Sequence, residues 1–338
     1  MNGHTAGLRV WGALPECYSG RQVASSTIDA RGRIVALLVD PDVTCAQRVP
    51  LTAPYDATAV VIDGNDRYEV EIHGLDLRFP KIDTLGDGFV LAGARCQMPS
   101  GPVARTLEEL EAEIPHNARV IGPDGGTTST FHAGDGIEHL MTDASGEIWI
   151  GYFDEASICA LLPPSGHPRR AGDPRHRPKP HRATMSTPGL IRWTSHGEPA
   201  WYATLDGSGP GSWVDCYALN VGLKYTWAYP YTAFPLVEID KIGVRCVRRT
   251  PVRYAHGVMV AGGTLAFVAS AGGPAKTGGH YTITLAHTDG GPIEVSGDSP
   301  LLLPDGSRPR AWAQRKVCRD GRMWMQFDDP SVWYVIEI

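Results

Sequence analysis

The chain has 338 residues, a net charge of −6, and 42% hydrophobic against 20% charged residues. That balance fits an ordinary globular protein and gives no basic surface for nucleic acid. No apolar run approaches the ~20 residues of a membrane-spanning helix, so no membrane contact is expected.

GLRVWGAL, residues 7–14, opens the chain as a strand without a local partner. A Gly-opened apolar strand then recurs as GRIVALLVD from Gly32, GFVLAGARC from Gly88 and GEIWIGYFD from Gly146. It continues as GLKYTWAYP from Gly222, GTLAFVASA from Gly263 and GRMWMQFDD from Gly321, with a mean interval near 58 residues. Between these lie TAVVIDG, ARVIGPDG, LIRWTSHG, FPLVEIDKIG and TITLAHTDG, each an apolar strand ending in a polar-Gly turn. A further strand follows the turn, as in RYEVEIHGLDLRF. Each unit therefore predicts four antiparallel strands, the form of a β-propeller blade.

The fold expected is all-β: one six-bladed β-propeller over 1–338, with blades at about 21–79, 80–135, 136–211, 212–253, 254–309 and 310–338. The sixth unit stops after its third strand, SVWYVIEI, and residues 7–14 supply the missing outer strand and close the ring. A β-sandwich is the rival reading, but it leaves the period and the complementary ends unexplained. The abundant glycine (39) and proline (27) agree with many turns. One helix is predicted, TLEELEAEI at 106–114, from the capping-box spacing of Thr106 and Glu109.

In such a fold the short turns share one face and the long connections, here 41–57, 97–117, 154–188 and 271–279, share the other. Long loops on a rigid scaffold are where binding resides. Counting seven residues back from each repeat glycine gives Ser25, Lys81, His139, Asp215, His256 and Gln314, all polar and all on innermost strands near that face. Aligning Trp227 with Trp149 instead places Tyr217 there, with Asp215 two residues earlier. His132, Asp135 and Glu138 of FHAGDGIEH, with Asp154 and Glu155, are expected at the same mouth.

His139 or His256 can act as a general base oriented by Asp215 or Glu138, and Lys81 can hold an anionic group. His139, His256 and Asp215 also make a set suited to a divalent metal, the one cofactor in view. The competing reading is that these polar side chains solvate a wet tunnel and fix blade register, and that Asp154 and Glu155 hydrogen-bond loop backbone. Trp149, Trp227 and Trp324 read as packing between blades. Cys216 reads as a small buried apolar residue rather than a nucleophile.

The insertion 157–188 is read as flexible. Its Pro/Arg/His-rich part, PPSGHPRRAGDPRHRPKPHR at 163–182, cannot bury a core. It offers a protein partner or polyanion a basic contact, or a lid for the mouth, against the plainer reading of a solvated loop. No GxSxG, HExxH, Walker A or strand-linked GxGxxG pattern is present. Seven cysteines, odd in number and without CxxC spacing, and a start lacking a basic-then-apolar leader point to reduced thiols and a cytoplasmic location.

LGDGFVLAGAR, GDGIEHLMTDASGEIWIGYFDE and DCYALNVGLKYTWAYPYTAFPLV resemble segments of uncharacterised bacterial propeller proteins over about 80–240. That resemblance implies the propeller and no activity. Ala156 stands where that group has the glycine of FDEG. More distantly the chain is similar to gluconolactonase, strictosidine-synthase and NHL-type propellers. The resemblance implies a calcium held by Glu, Asn and Asp, for which Glu138, Asp215 and Asn220 are the nearby oxygens.

Three functions follow as expectations. The first is binding of a small molecule or peptide at the tunnel mouth. The second is a hydrolase, lactonase or lyase using His139, His256 and Asp215, with or without a metal. The third is a protein-interaction scaffold using 163–182.

Overall fold

The computed structural model describes residues 7–45, 53–96, 116–153, 189–203, 213, 215–231, 233–270 and 280–338. The expected helix 106–114, the insertion 157–188, and Asp154 and Glu155 lie outside them.

The described residues form an all-β, propeller-like structure without an α-helix. The N-terminal strand is β1 (Arg9–Ala13). The first four-stranded sheet is β2 (Gln22–Ile28), β3 (Ile34–Val39), β4 (Tyr55–Asp63) and β5 (Asp66–Leu75), side by side in that order. The second is β6 (Arg78–Leu85), β7 (Gly88–Arg95), β8 (Ala118–Ile121) and β9 (Thr127–Phe131). The third is β10 (Ile137–Thr142), β11 (Ile148–Tyr152), β12 (Leu190–Trp193) and β13 (Pro199–Tyr202).

β14 (Asp215–Val221), β15 (Thr226–Tyr231), β16 (Leu236–Ile239) and β17 (Val244–Arg248) make another antiparallel run. β18 (Ala255–Ala261), β19 (Thr264–Ser270), β20 (Tyr281–His287) and β21 (Glu294–Pro300) make the next sheet. β22 (Arg315–Arg319), β23 (Arg322–Gln326) and β24 (Val332–Glu337) come last, and β1 pairs antiparallel with β24.

Six separate sheets were expected, and the described residues form five. The run β1-β24-β23-β22 joins β14-β15-β16-β17 into one eight-stranded sheet through a single parallel bridge, Asn220 to Cys318. The first strands of the runs touch in a cycle, β2 to β6, β10, β14, β18, β22 and back to β2. The bridge marks where β14 and β22 pinch together past β18.

Burial explains the sequence pattern. β3 (IVALLV) is buried at every position because both its faces meet neighbouring sheets. β17 (VRCVR), at the outer edge, is mostly exposed. The core is thus a set of layers between sheets. Val61, Ile72, Phe89 and Leu91 fill the layer between the first two. Trp149 and Trp324 are buried in a layer shared by several sheets, as expected, and Trp11 of β1 meets Trp324 edge-on at 5.6 Å. Trp227 is half-buried, with the Arg248 guanidinium 5.7 Å above its ring.

The repeat glycine serves two kinds of turn. Gly32 and Gly146 take φ of 81° and 84° and close five-residue turns whose first residues, Asp29 and Asp143, accept backbone N–H groups. Gly88 follows a tighter turn, and a Cβ there would lie 2.0 Å from the carbonyl oxygen of Ile121.

Candidate functional site

The first strands of all runs point the same way, so their ends define two ends of a central channel. At the end where these strands finish, side chains close it. Arg319 is 5% exposed and Asp83 is fully buried. The Arg319 guanidinium donates to Asp83 Oδ2 at 2.8 Å and to the carbonyls of Ile28 (3.0 Å), Thr142 (2.8 Å) and Val221 (3.5 Å). Asp83 also accepts from the N–H groups of Thr84 and Thr142 and from the Thr142 hydroxyl. Asn220 donates to the carbonyls of Val258 and Asp320 and accepts from the Asp320 N–H. Arg319 and Asn220 together tie β2, β6, β10, β14, β18 and β22. Burial pushes the Asp83 carboxyl up to about 6, against the opposing pull of Arg319.

At the end where these strands begin, the channel opens into a cavity of about 840 Å³, within the range of small-molecule sites. Its walls come from the starts of β2, β6, β10 and β22 and the end of β7. Lys81, Glu138, His139 and Lys316 line it. Glu138 presents its surface to this space, while protein encloses it on most other sides. Burial alone would raise the Glu138 carboxyl, but Lys81, His139, Lys316 and His256 outweigh it and hold the group below its ordinary range. Burial lowers the ammonium groups of Lys81 and Lys316, and Glu138 partly restores both. Neither ammonium has a hydrogen-bond or ion-pair partner among the described residues. The three charges therefore sense each other across open space.

His139 Nε2–H donates to the Cys216 carbonyl at 2.9 Å, which fixes its ring. Burial, the largest cause, lowers His139 and His256 to about 4 each, so both are neutral at neutral pH. The His256 ring stacks on Tyr217 at 5.4 Å and 17°, and Tyr217 stacks in turn near Tyr231 at 6.0 Å and 28°.

The structure does not bring the sequence-derived residues together as one set. Four of the first strands carry a one-residue bulge, at Ala24, Glu138, Tyr217 and His256. His256 thus corresponds to Glu138 and Tyr217, not to His139. Lys81, Glu138, His139, Gln314 and Ser25 line the cavity; Asp215 and His256 lie outside its lining. Asp135 lines it but is held by the Cys96 N–H at 2.7 Å and by Arg95 at 3.6 Å. His132 is half-buried in the preceding loop, away from the lining.

His139, His256 and Asp215, the set suited to a divalent metal, do not gather as one cluster. Among the described residues, no three His, Cys, Asp or Glu side chains gather to hold an ion. The physical reason is local: His139 spends Nε2 on a backbone carbonyl and His256 lies flat on Tyr217. The oxygen set Glu138, Asp215 and Asn220 fails likewise, because Asn220 is buried at the closed end and spent on backbone groups. Cys216 is fully buried, with its thiol pushed up chiefly by burial, in keeping with an apolar role. All six described cysteines are free thiols.

Lys316, Arg315, Arg319 and Asp83 were not singled out from the sequence. A signal existed: TIDARG at 27–32 and MTDASG at 141–146 share one pattern, and KIDTL and VCRDG place a charge inside an apolar strand end.

No protein-family description and no curated protein matches the chain. Solved structures of propeller-like proteins align at low identity. A virginiamycin B lyase from Staphylococcus aureus is 12% identical, covering 96% of this chain and 98% of the other, with a TM-score of 0.42. A subtype N11 neuraminidase-like protein from a flat-faced bat isolate is 10% identical over 99% and 94%, with a TM-score of 0.47. AztD from Citrobacter koseri is 11% identical over 90% and 80%, with a TM-score of 0.42.

Proposed function

We propose that the chain is a six-bladed propeller whose ring is closed by β1, and that it binds a small molecule or short peptide in the cavity at the open end of its channel. The cyclic contacts of the first strands and the pairing of β1 with β24 support the ring. One observation carries the binding reading. Two enclosed lysines and a glutamate face a common space of ligand size without pairing directly. Leaving charges half-solvated and unpaired costs free energy, and a ligand offsets that cost.

The alternative reading, a hydrolase, lactonase or lyase, draws on the fixed His139 ring, whose Nδ1 is free of the Cys216 bond. A base lowered to about 4 is weakly basic at neutral pH, so binding is the stronger reading.

The test uses Gln314, which is exposed and lines the cavity. Gln314→Trp fills the mouth without touching the core. Compounds that raise the melting temperature of the wild-type protein should lose that effect in the variant. Unchanged shifts in the variant place binding elsewhere and refute the reading.

A further inference from the structure

The cavity carries a charge opposite to that of the chain. Five cationic side chains line it, Arg78, Lys81, Arg95, Arg315 and Lys316, against two carboxylates, Asp135 and Glu138. Five less two leaves an excess of three positive charges, in a protein whose net charge is −6. A concave wall of one sign focuses the field and draws in small ions of the other.

The cations fall into two groups. Arg78 opens β6 and stands directly opposite Arg95 at the end of β7. Like charges opposed across a ladder are destabilising. Of the two carboxylates in the lining, Asp135 lies 3.6 Å from Arg95 and also accepts the Cys96 N–H, while the Arg95 guanidinium covers the Phe153 ring at 4.5 Å. The residue after Arg78 is Phe79, also in the lining, whose φ of 49° is strained for a phenylalanine. Such strain gathers at ligand sites.

The second group lies further along the wall. Lys81 follows Arg78 by three residues of β6, about 10 Å at the rise of a strand. It feels the charges of Glu138 and Arg315, and Lys316 feels those of Glu138 and Lys81. Arg315 donates to Gln326 Oε1 at 2.6 Å and to the carbonyls of Val23 and Ala24 at 3.3 Å. Those acceptors are neutral, so they satisfy its N–H groups without cancelling its charge. Three cations here thus share one carboxylate. An anion placed among them keeps both ammonium groups charged, as Glu138 already does in part.

We infer that the cavity takes a small molecule carrying two anionic groups, one held at Arg78 and Arg95 and the other between Lys81 and Lys316. This rests on the binding reading above and adds the class of ligand. Guanidinium forks and enclosed ammonium groups both make their strongest hydrogen bonds to ionised oxygens. Carboxylate and phosphate share that chemistry, and paired probes distinguish them.

The experiment is calorimetric titration of the full chain with succinate, 3-phosphonopropionate, butyrate and succinamide at neutral pH. Butyrate keeps one negative charge and succinamide none. Succinate or 3-phosphonopropionate should bind at least about tenfold more tightly than butyrate, and succinamide should bind most weakly. A win for succinate names a carboxylate at both ends; a win for 3-phosphonopropionate names a phosphate-like group at one. Arg78→Gln/Arg95→Gln and Lys81→Gln/Lys316→Gln should each erase the preference for the second charge. If either pair fails to fold, the single changes Arg95→Gln and Lys81→Met serve, each lowering the preference at least about threefold. Equal binding of succinate and butyrate, blocked by Gln314→Trp, overturns the ligand class and keeps the binding reading. A preference for the second charge that survives these substitutions also overturns it. No binding by any of the four probes overturns both.

Discussion

Replacing Arg319 with Met removes the guanidinium at the closed end of the channel while keeping most of the side chain's bulk. Asp83, fully buried, then loses the cation 2.8 Å away, and the carbonyls of Ile28, Thr142 and Val221 lose the guanidinium as a donor. Breaking a buried pair from one side costs roughly 3–5 kcal/mol because a lone charge remains, and each orphaned buried acceptor adds about 1 kcal/mol or more. Val221 at 3.5 Å contributes little. A loss of about 5 kcal/mol or more follows, a large share of the ~5–15 kcal/mol that holds a typical domain. Urea unfolding of wild type and variant measures it. The loss has a pH signature. Asp83 is already raised to about 6 by burial, and without Arg319 it rises further. A carboxyl whose folded pKa is raised loses stability as pH climbs through the window between its unfolded and folded values. The variant should therefore be more destabilised at mildly alkaline than at mildly acidic pH. Asp83→Leu/Arg319→Met should recover part of the loss by removing both charges. A loss below about 1 kcal/mol for Arg319→Met, or one independent of pH, refutes the reasoning.

Two other outcomes follow. Gly88→Ala puts a Cβ 2.0 Å from the Ile121 carbonyl oxygen and should cost about 1–3 kcal/mol in thermal or urea unfolding; Gly20→Ala, with nothing within 4 Å, should be close to neutral. His139 and His256 are lowered to about 4 by burial, so the unfolded chain binds their protons first and stability should fall as pH drops from about 6.5 towards 4. His139→Gln/His256→Gln should flatten that fall in urea midpoints taken across the window; an unchanged slope means other groups produce it.

The strands were legible because β3, β7 and β19 are buried on both faces and read as apolar runs, each after a turn glycine. The ladder register was not. A bulge inserts one residue without a mark in the sequence, and counting back from a glycine passes over it. The turns differ too: five residues separate Thr142 from Ile148 and two separate Ala261 from Thr264, so the same count lands on the ladder at His139 and on the bulge at His256, which matches Glu138. β22 has no bulge, but only Asp320 and Gly321 separate it from β23, so counting back from Gly321 reaches Gln314 while Lys316, two residues on, brings the charge to the cavity. Lys81 and Glu138 were legible as polar residues at strand starts. The role of Asp83 was not, since one acid inside an apolar strand does not disclose a partner 236 residues away.

That distance bears on how the chain reaches its native state. Arg319 joins parts of the chain separated by 291, 236, 177 and 98 residues. Contacts so remote form only after long loops have closed, which slows folding. Until β22 arrives, Asp83 and the carbonyls beside it stand without their donor, so the earlier sheets have reason to stay loosely docked. Refolding should then show one late step in which the sheets lock together.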